Sequence, residues 1–163
     1  LPLIGEQFQV KKDNQCANLM GANFTKANLR GVTVARANPS NCKSTSDRPC
    51  NVVLTGAVLT GADLTNSDLT GALLTRANLA DAIFDQAILL KTDLREAQNF
   101  TMAQLSGPTP PYLCNVALPV DIAPQINPAR DCNRLVQVLS DRYGYSMAQA
   151  EQVINKAKEE KWD

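Results

Sequence analysis

The residues able to do chemistry are five cysteines and a recurring series of aspartates. Cys16, Cys42, Cys50, Cys114 and Cys132 form no C-x-x-C pair and the chain has no histidine, so neither a structural zinc site nor any other cofactor is expected. The chemistry left to the thiols is disulfide formation. Cys42 and Cys50 bracket a polar excursion, and Cys114 and Cys132 flank a proline-rich segment; both arrangements suit loop staples. Bridges Cys42–Cys50 and Cys114–Cys132 are therefore expected, with Cys16 unpaired. Five reduced thiols in a cytosolic protein are the alternative, because spacing does not fix connectivity. Without histidine, acid–base catalysis would fall to lysines or to carboxylates such as Asp63, Asp68, Asp81 and Asp93. These aspartates recur among turn residues, which accounts for them without a reaction, and no constellation resembles an active site. A non-enzyme is expected.

The elements that carry these residues are set by a period of five. Leu19, Phe24, Leu29 and Val34 are followed, after an interruption, by Leu54, Leu59, Leu64, Leu69, Leu74, Leu79, Phe84, Leu89 and Leu94. Two places before each stands a small or β-branched residue, alanine in nine of the thirteen cases. On an α-helix, residues five apart are rotated by about 140°, so no single stripe could be buried. On a straight strand an odd spacing sends successive leucines to opposite faces. Only a chain that turns a corner within every five residues keeps them all pointing inward. The recurring Thr-Gly and Asn/Asp pairs supply residues that turns tolerate.

Ala-Asn-Leu-Arg-Gly (27–31), Ala-Asp-Leu-Thr-Asn (62–66) and Ala-Asn-Leu-Ala-Asp (77–81) resemble the A(D/N)LXX signature of pentapeptide-repeat proteins. The resemblance implies an all-β solenoid: a right-handed quadrilateral β-helix of about four coils, four pentads to a coil, with coils roughly 4.8 Å apart. Stacking of coils, not any one coil, then makes the core. The stretch from residue 131 through Trp162 is also similar to the helical tails of some cyanobacterial members of the thylakoid lumen or periplasm.

Sixteen basic residues balance sixteen acidic ones. That neutrality argues against a polyanion-binding surface and against a mimic of nucleic acid. No apolar run is long enough to span a membrane. The chain begins with Leu1, as a processed protein or a trimmed one would, and any targeting peptide is expected to be gone already.

Along the chain, residues 1–13 are expected to cap the lower end and 14–107 to form the repeats, with a loop excursion at 39–50 that either replaces sides of a coil or bulges from a corner. Val53 and Leu73 should stack on one face, while Ile83, Ile88 and Leu90 should be covered by the protein's own tail. The phase slips by one residue at Asn99 before Phe100 and Leu105, consistent with a bulge. Residues 108–127 read as a proline-rich extended segment lying on the outside of the tower. Residues 128–163 read as a helical hairpin able to close its top. Its first helix should start with Asn127 as N-cap and Pro128 at the first position, and end at Gly144. The second should open on a Ser146/Gln149 capping box.

Of the threonines, only Thr55 and Thr75 should stack, too few for an ice-binding array. The second helix lacks the basic bias that DNA contacts require. The function expected is therefore a protein-interaction scaffold, a monomer exported to the thylakoid lumen or periplasm. Its candidate surfaces are Val53, Leu73 and, in the excursion, Lys43, Asp47 and Arg48. The alternative is a DNA-mimicking regulator of a type II topoisomerase (gyrase), which relatives of the fold achieve with a longer, acidic, dimeric tower.

Overall fold

The corner of each pentad explains its composition. In Leu69-Thr70-Gly71-Ala72 the Ala72 N–H donates to the Leu69 carbonyl at 3.0 Å, closing a β-turn whose third residue, Gly71, has φ of 70°. The same corner is held by Asn66, Arg76, Asp81 and Gln86 at φ of 55–59°, a left-handed conformation that glycine adopts without steric cost. Where an Asn or Asp precedes the large residue, it serves the same turn. Asp63 Oδ1 accepts the Thr65 N–H at 3.0 Å and Asp68 Oδ1 the Thr70 N–H at 3.0 Å, while Asn28, Asn78 and Asp93 act alike. These aspartates are turn residues, as their spacing implies.

The computed structural model describes residues 20–31, 53–159 and 161–162. Successive turns lie over one another in parallel, twenty residues apart: Val53 pairs with Leu73, Leu73 with Asp93, Val58 with Asn78, Asp63 with Ile83 and Asp68 with Ile88. Leu59 N–H donates to the Asn78 carbonyl and Asn78 N–H to the Ala57 carbonyl, so the rungs satisfy each other's backbone. Inside, Leu59, Leu64, Leu69, Leu74, Leu79, Phe84, Leu89 and Leu94 are buried in one continuous stack, with Ala57, Ala62, Ala72, Ala77 and Ala87 beside them.

Two departures from the twenty-residue register locate the irregular segments. Asn23 pairs with Val58 and Asn28 with Asp63, 35 residues apart, so the chain between them holds fifteen residues more than one coil. Fifteen is a multiple of five, which is why the phase survives, and the excursion 39–50 itself lies outside the described residues. Later, strand β1 (Ile88–Leu90) pairs in parallel with β2 (Tyr112–Cys114), Ile88 opposite Tyr112, at a spacing of 24. The extra residues take up the slip at Asn99, whose φ is 57°, and the 3-10 turn Met102–Leu105. There Gln104 Nε2 donates to the Leu79 and Ala82 carbonyls at 2.8 and 2.9 Å, replacing backbone donors lost where the ladder breaks. Phe100 packs edge-on against Phe84, ring centroids 5.7 Å apart.

The proline-rich segment differs from its expected place. Tyr112–Cys114 forms a rung of the stack, Ala117 bridges Asp93, and Leu113, Val116, Leu118 and Ile122 join the central stack and close its upper end. The helical hairpin, α1 (Cys132–Tyr143) and α2 (Met147–Lys158), correspondingly lies on the side of the stack and not over its top. Ile88 and Leu90 point outward on either side of inward-facing Leu89. The amphipathic helices bury them against Leu135, Leu139, Ala150, Ile154 and Ala157. Ile83, expected to be covered with them, stays 44% exposed.

The first helix starts later than the Asn127-Pro128 signal suggests. Asn127 Oδ1 accepts the Ala129 N–H, but the Pro128 carbonyl accepts Val116 N–H and Asp131 N–H donates to the Leu113 carbonyl. The stack's edge thus takes the backbone groups of the would-be first turn, and helix begins at Cys132. Gly144 ends α1 at φ 70°, and Ser146 and Gln149 form the capping box of α2. Met147, at the first position of α2, is 47% exposed.

Candidate interaction surfaces

The hairpin is fastened to the stack by a polar and covalent seam. Cys114 on β2 and Cys132 at the start of α1 are joined by a disulfide with S–S of 2.02 Å. Beside it, Asp131 is 5% exposed. Its Oδ2 accepts the Leu113 N–H at 3.0 Å and Arg130 Nε at 2.8 Å, and its Oδ1 accepts Arg134 Nη1 at 3.2 Å. Arg130 Nη2 reaches the Pro111 carbonyl at 2.8 Å. The guanidinium carbons of Arg134 and Arg142 lie 5.4 and 5.7 Å from the centroid of the Tyr112 ring. Arg142 Nη2 also donates to the Gln86 carbonyl at 2.7 Å. At the far end of α2, Asn115 Nδ2 donates to the Ala157 carbonyl, and Trp162 Nε1 donates to Asn115 O and Oδ1 at 3.2 and 3.1 Å.

Between wall and hairpin remains a cavity of about 160 Å³, lined by Leu90, Leu139, Val153 and Ala157, with Asp68 at its base and Lys156 and Tyr145 among its outer residues. Burial pushes the Asp68 carboxyl above its usual range, against the opposing pull of its bonds from Thr70 and the charge of Arg142. Asp63, on the open side of the next column, behaves in reverse. Its modest desolvation is outweighed by the hydrogen bonds from Thr65 and by Arg30, 3.2 Å away, so its pKa is lowered.

Of the residues singled out in the sequence, Val53 and Leu73 are directly paired, half-buried, and belong to neither hydrophobic cluster. Beside them the Thr55 and Thr75 hydroxyls meet at 3.1 Å. Cys16, Cys42, Cys50, Lys43, Asp47 and Arg48 lie outside the described residues, as does the segment 1–13. Asp131, Tyr112, Arg142 and Trp162 were not anticipated. The available signals were an acidic residue immediately before Cys132 and two arginines eight apart on one helix face. Among the described residues, no three Cys, Asp or Glu side chains converge as a metal site requires. None of the described helices is long and apolar enough to cross a membrane.

The model of the pentapeptide repeats matches residues 15–38, 50–76 and 72–107, with 8 copies, half of the chain. The chain belongs to the pentapeptide-repeat family. Pentapeptide-repeat proteins form right-handed β-helices, and the parallel turns described above fit that geometry. Solved structures similar to this pentapeptide-repeat chain include a pentapeptide repeat protein of the Arabidopsis thaliana thylakoid lumen, 18% identical, covering 86% of this chain and 87% of that one at a TM-score of 0.29. HetL of the cyanobacterium Nostoc, involved in regulating heterocyst differentiation, is 23% identical over 66% of this chain and 57% of its own, at 0.29. A pentapeptide repeat protein of the cyanobacterium Cyanothece is 16% identical over 69% and 91%, at 0.18. At such scores the family rests on the repeats themselves. No curated protein matches the chain.

Proposed function

We propose that this pentapeptide-repeat protein is a small, rigid, non-enzymatic protein-interaction scaffold. In this reading it is a quadrilateral tower of about four coils that works as a monomer in an oxidising compartment, the thylakoid lumen or periplasm of a photosynthetic organism. The observation that carries the reading is the asymmetry of the walls. One wall is permanently occupied by the hairpin, fastened by Cys114–Cys132 and Asp131, while the Val53/Leu73 wall presents half-buried aliphatic side chains that join neither core. The four columns of parallel pairs support the quadrilateral section, and the disulfide supports export. Balanced charge supports a scaffold over a nucleic-acid mimic. The excursion with Lys43, Asp47 and Arg48, a cap over residues 1–13 and a Cys42–Cys50 bridge complete the proposal.

The test is chemical cross-linking in lumenal or periplasmic extract of the native host, comparing the wild type with Leu73→Glu. The expected result is one or more cross-linked proteins lost in the variant while its thermal unfolding is unchanged. Cross-links that survive Leu73→Glu would move the surface elsewhere, and none at all with either protein would remove the scaffold reading.

A further inference from the structure

The cavity between the hairpin and the wall is the size at which an engineered apolar cavity takes up one benzene molecule. Its base is unusual. Asp68 is 6% exposed, and its Oδ1 accepts both the backbone N–H of Thr70 at 3.0 Å and the Thr70 hydroxyl at 2.5 Å. Its Oδ2 has no hydrogen-bond partner among the described residues, and the side chain lines the cavity. One oxygen of the carboxyl is thus committed to its own turn and the other is left to whatever enters.

The charged groups around Asp68 decide which ligand fits. Lys91 comes from the wall, Arg142 from α1 and Lys156 from α2, with the Tyr145 phenol at the turn between the helices. Arg142 Nη2 donates to neutral oxygens, the Gln86 carbonyl and Asn66 Oδ1, and its Nη1 is buried without a partner. An ammonium ligand would enter among cations to meet a carboxyl that burial favours in its neutral form. A carboxylate ligand meets the opposite: a positive surround and an O–H donor.

We infer that this cavity binds a small monocarboxylate with an apolar body about the size of a benzene ring. The protonated Oδ2–H of Asp68 donates a hydrogen bond to the ligand's carboxylate, and the body rests among Leu90, Leu139 and Val153. Because binding requires Asp68 protonated, affinity falls about tenfold for each pH unit above its pKa, over the range in which the ligand stays ionised.

The test titrates the full-length, disulfide-intact protein with sodium benzoate, benzyl alcohol and benzylamine across weakly acid to neutral pH, following backbone amide resonances. Benzoate should shift the amides of Leu90, Leu139 and Val153 and bind at least about tenfold more tightly than benzylamine, or about 1.4 kcal/mol. Asp68→Asn keeps an acceptor for Thr70 and turns Nδ2–H to the cavity, so benzoate binding should persist within about threefold while its pH dependence disappears. Leu139→Trp fills the cavity and should abolish binding; Val153→Phe does the same from α2 should the first variant fail to fold. The inference is overturned if benzylamine binds as well as benzoate. It is equally overturned if the pH dependence survives Asp68→Asn, if benzoate still binds the filled variants, or if no amide responds.

Discussion

Replacing Asp131 with alanine tests whether the hairpin is held to the stack through that buried carboxylate. In the wild type the Leu113 N–H is buried, and its acceptor is Asp131 Oδ2 at 3.0 Å. Stranding a buried backbone donor costs about 1–3 kcal/mol. The charge-assisted bonds from Arg130 and Arg134 add less, about 1 kcal/mol together, because both guanidinium groups are partly solvated. The Asp131 side chain accepts no backbone N–H from the first turn of α1, so no capping loss is added. The expected destabilisation is about 3 kcal/mol, a large share of the 5–15 kcal/mol typical of a domain. In urea this is a midpoint shift of roughly 1–2 M at unchanged slope. Asp131→Asn retains an acceptor for Leu113 and should lose about half as much. Alanine within about 0.5 kcal/mol of wild type, or asparagine as damaging as alanine, would refute the reasoning.

Reduction of Cys114–Cys132, which closes a loop of sequence separation 18, should cost about 3 kcal/mol on the chain-entropy estimate, read as a reductant-dependent urea midpoint. Leu74→Ala in the middle of the stack should cost about 2–5 kcal/mol, whereas Leu73→Ala on the outer wall should cost under about 1.5 kcal/mol; equal losses would contradict the inward/outward assignment. Asp68 has a raised folded-state pKa, so its contribution is fully present below the unfolded value near 3.8 and is lost as pH rises through the folded value. Asp68→Asn should therefore stabilise the protein at neutral pH and have less effect in acid. Asp63 has the opposite sign: its contribution is present above 3.8 and is lost as pH falls through its lowered folded value, so Asp63→Asn should be costly at neutral pH only.

The repeats were readable because every pentad repeats one local solution: a large residue inside, a left-handed corner and a small residue after it. Leu69, Gly71 and Ala72 announce both burial and turn. The docking of the hairpin was only half readable. Outward-facing Ile88 and Leu90 signalled that the tail covers them, but nothing local separates a helix lying on the wall from one closing the top. The rung Tyr112–Cys114 was hidden because its proline-rich context gives no period, and its place depends on pairing with residues 24 positions earlier. The start of α1 was misplaced for a similar reason. The Asn127-Pro128 signal is genuine local chemistry, but Leu113 and Val116 compete successfully for the backbone groups it would need. Asp68 shows the limit most clearly, since Asp63 and Asp68 occupy the same pentad position and only the packed hairpin makes one buried and the other solvated.

The most direct test of a locked scaffold in an oxidising compartment is thiol mapping of the protein isolated from its native host, alkylated without reduction and analysed by peptide mass spectrometry. The account predicts a Cys114–Cys132 linked peptide and, as proposed, a Cys42–Cys50 one, leaving Cys16 as the alkylated thiol. Alkylation of Cys114 and Cys132 in the native protein would contradict it, removing both the lock on the hairpin and the argument for export.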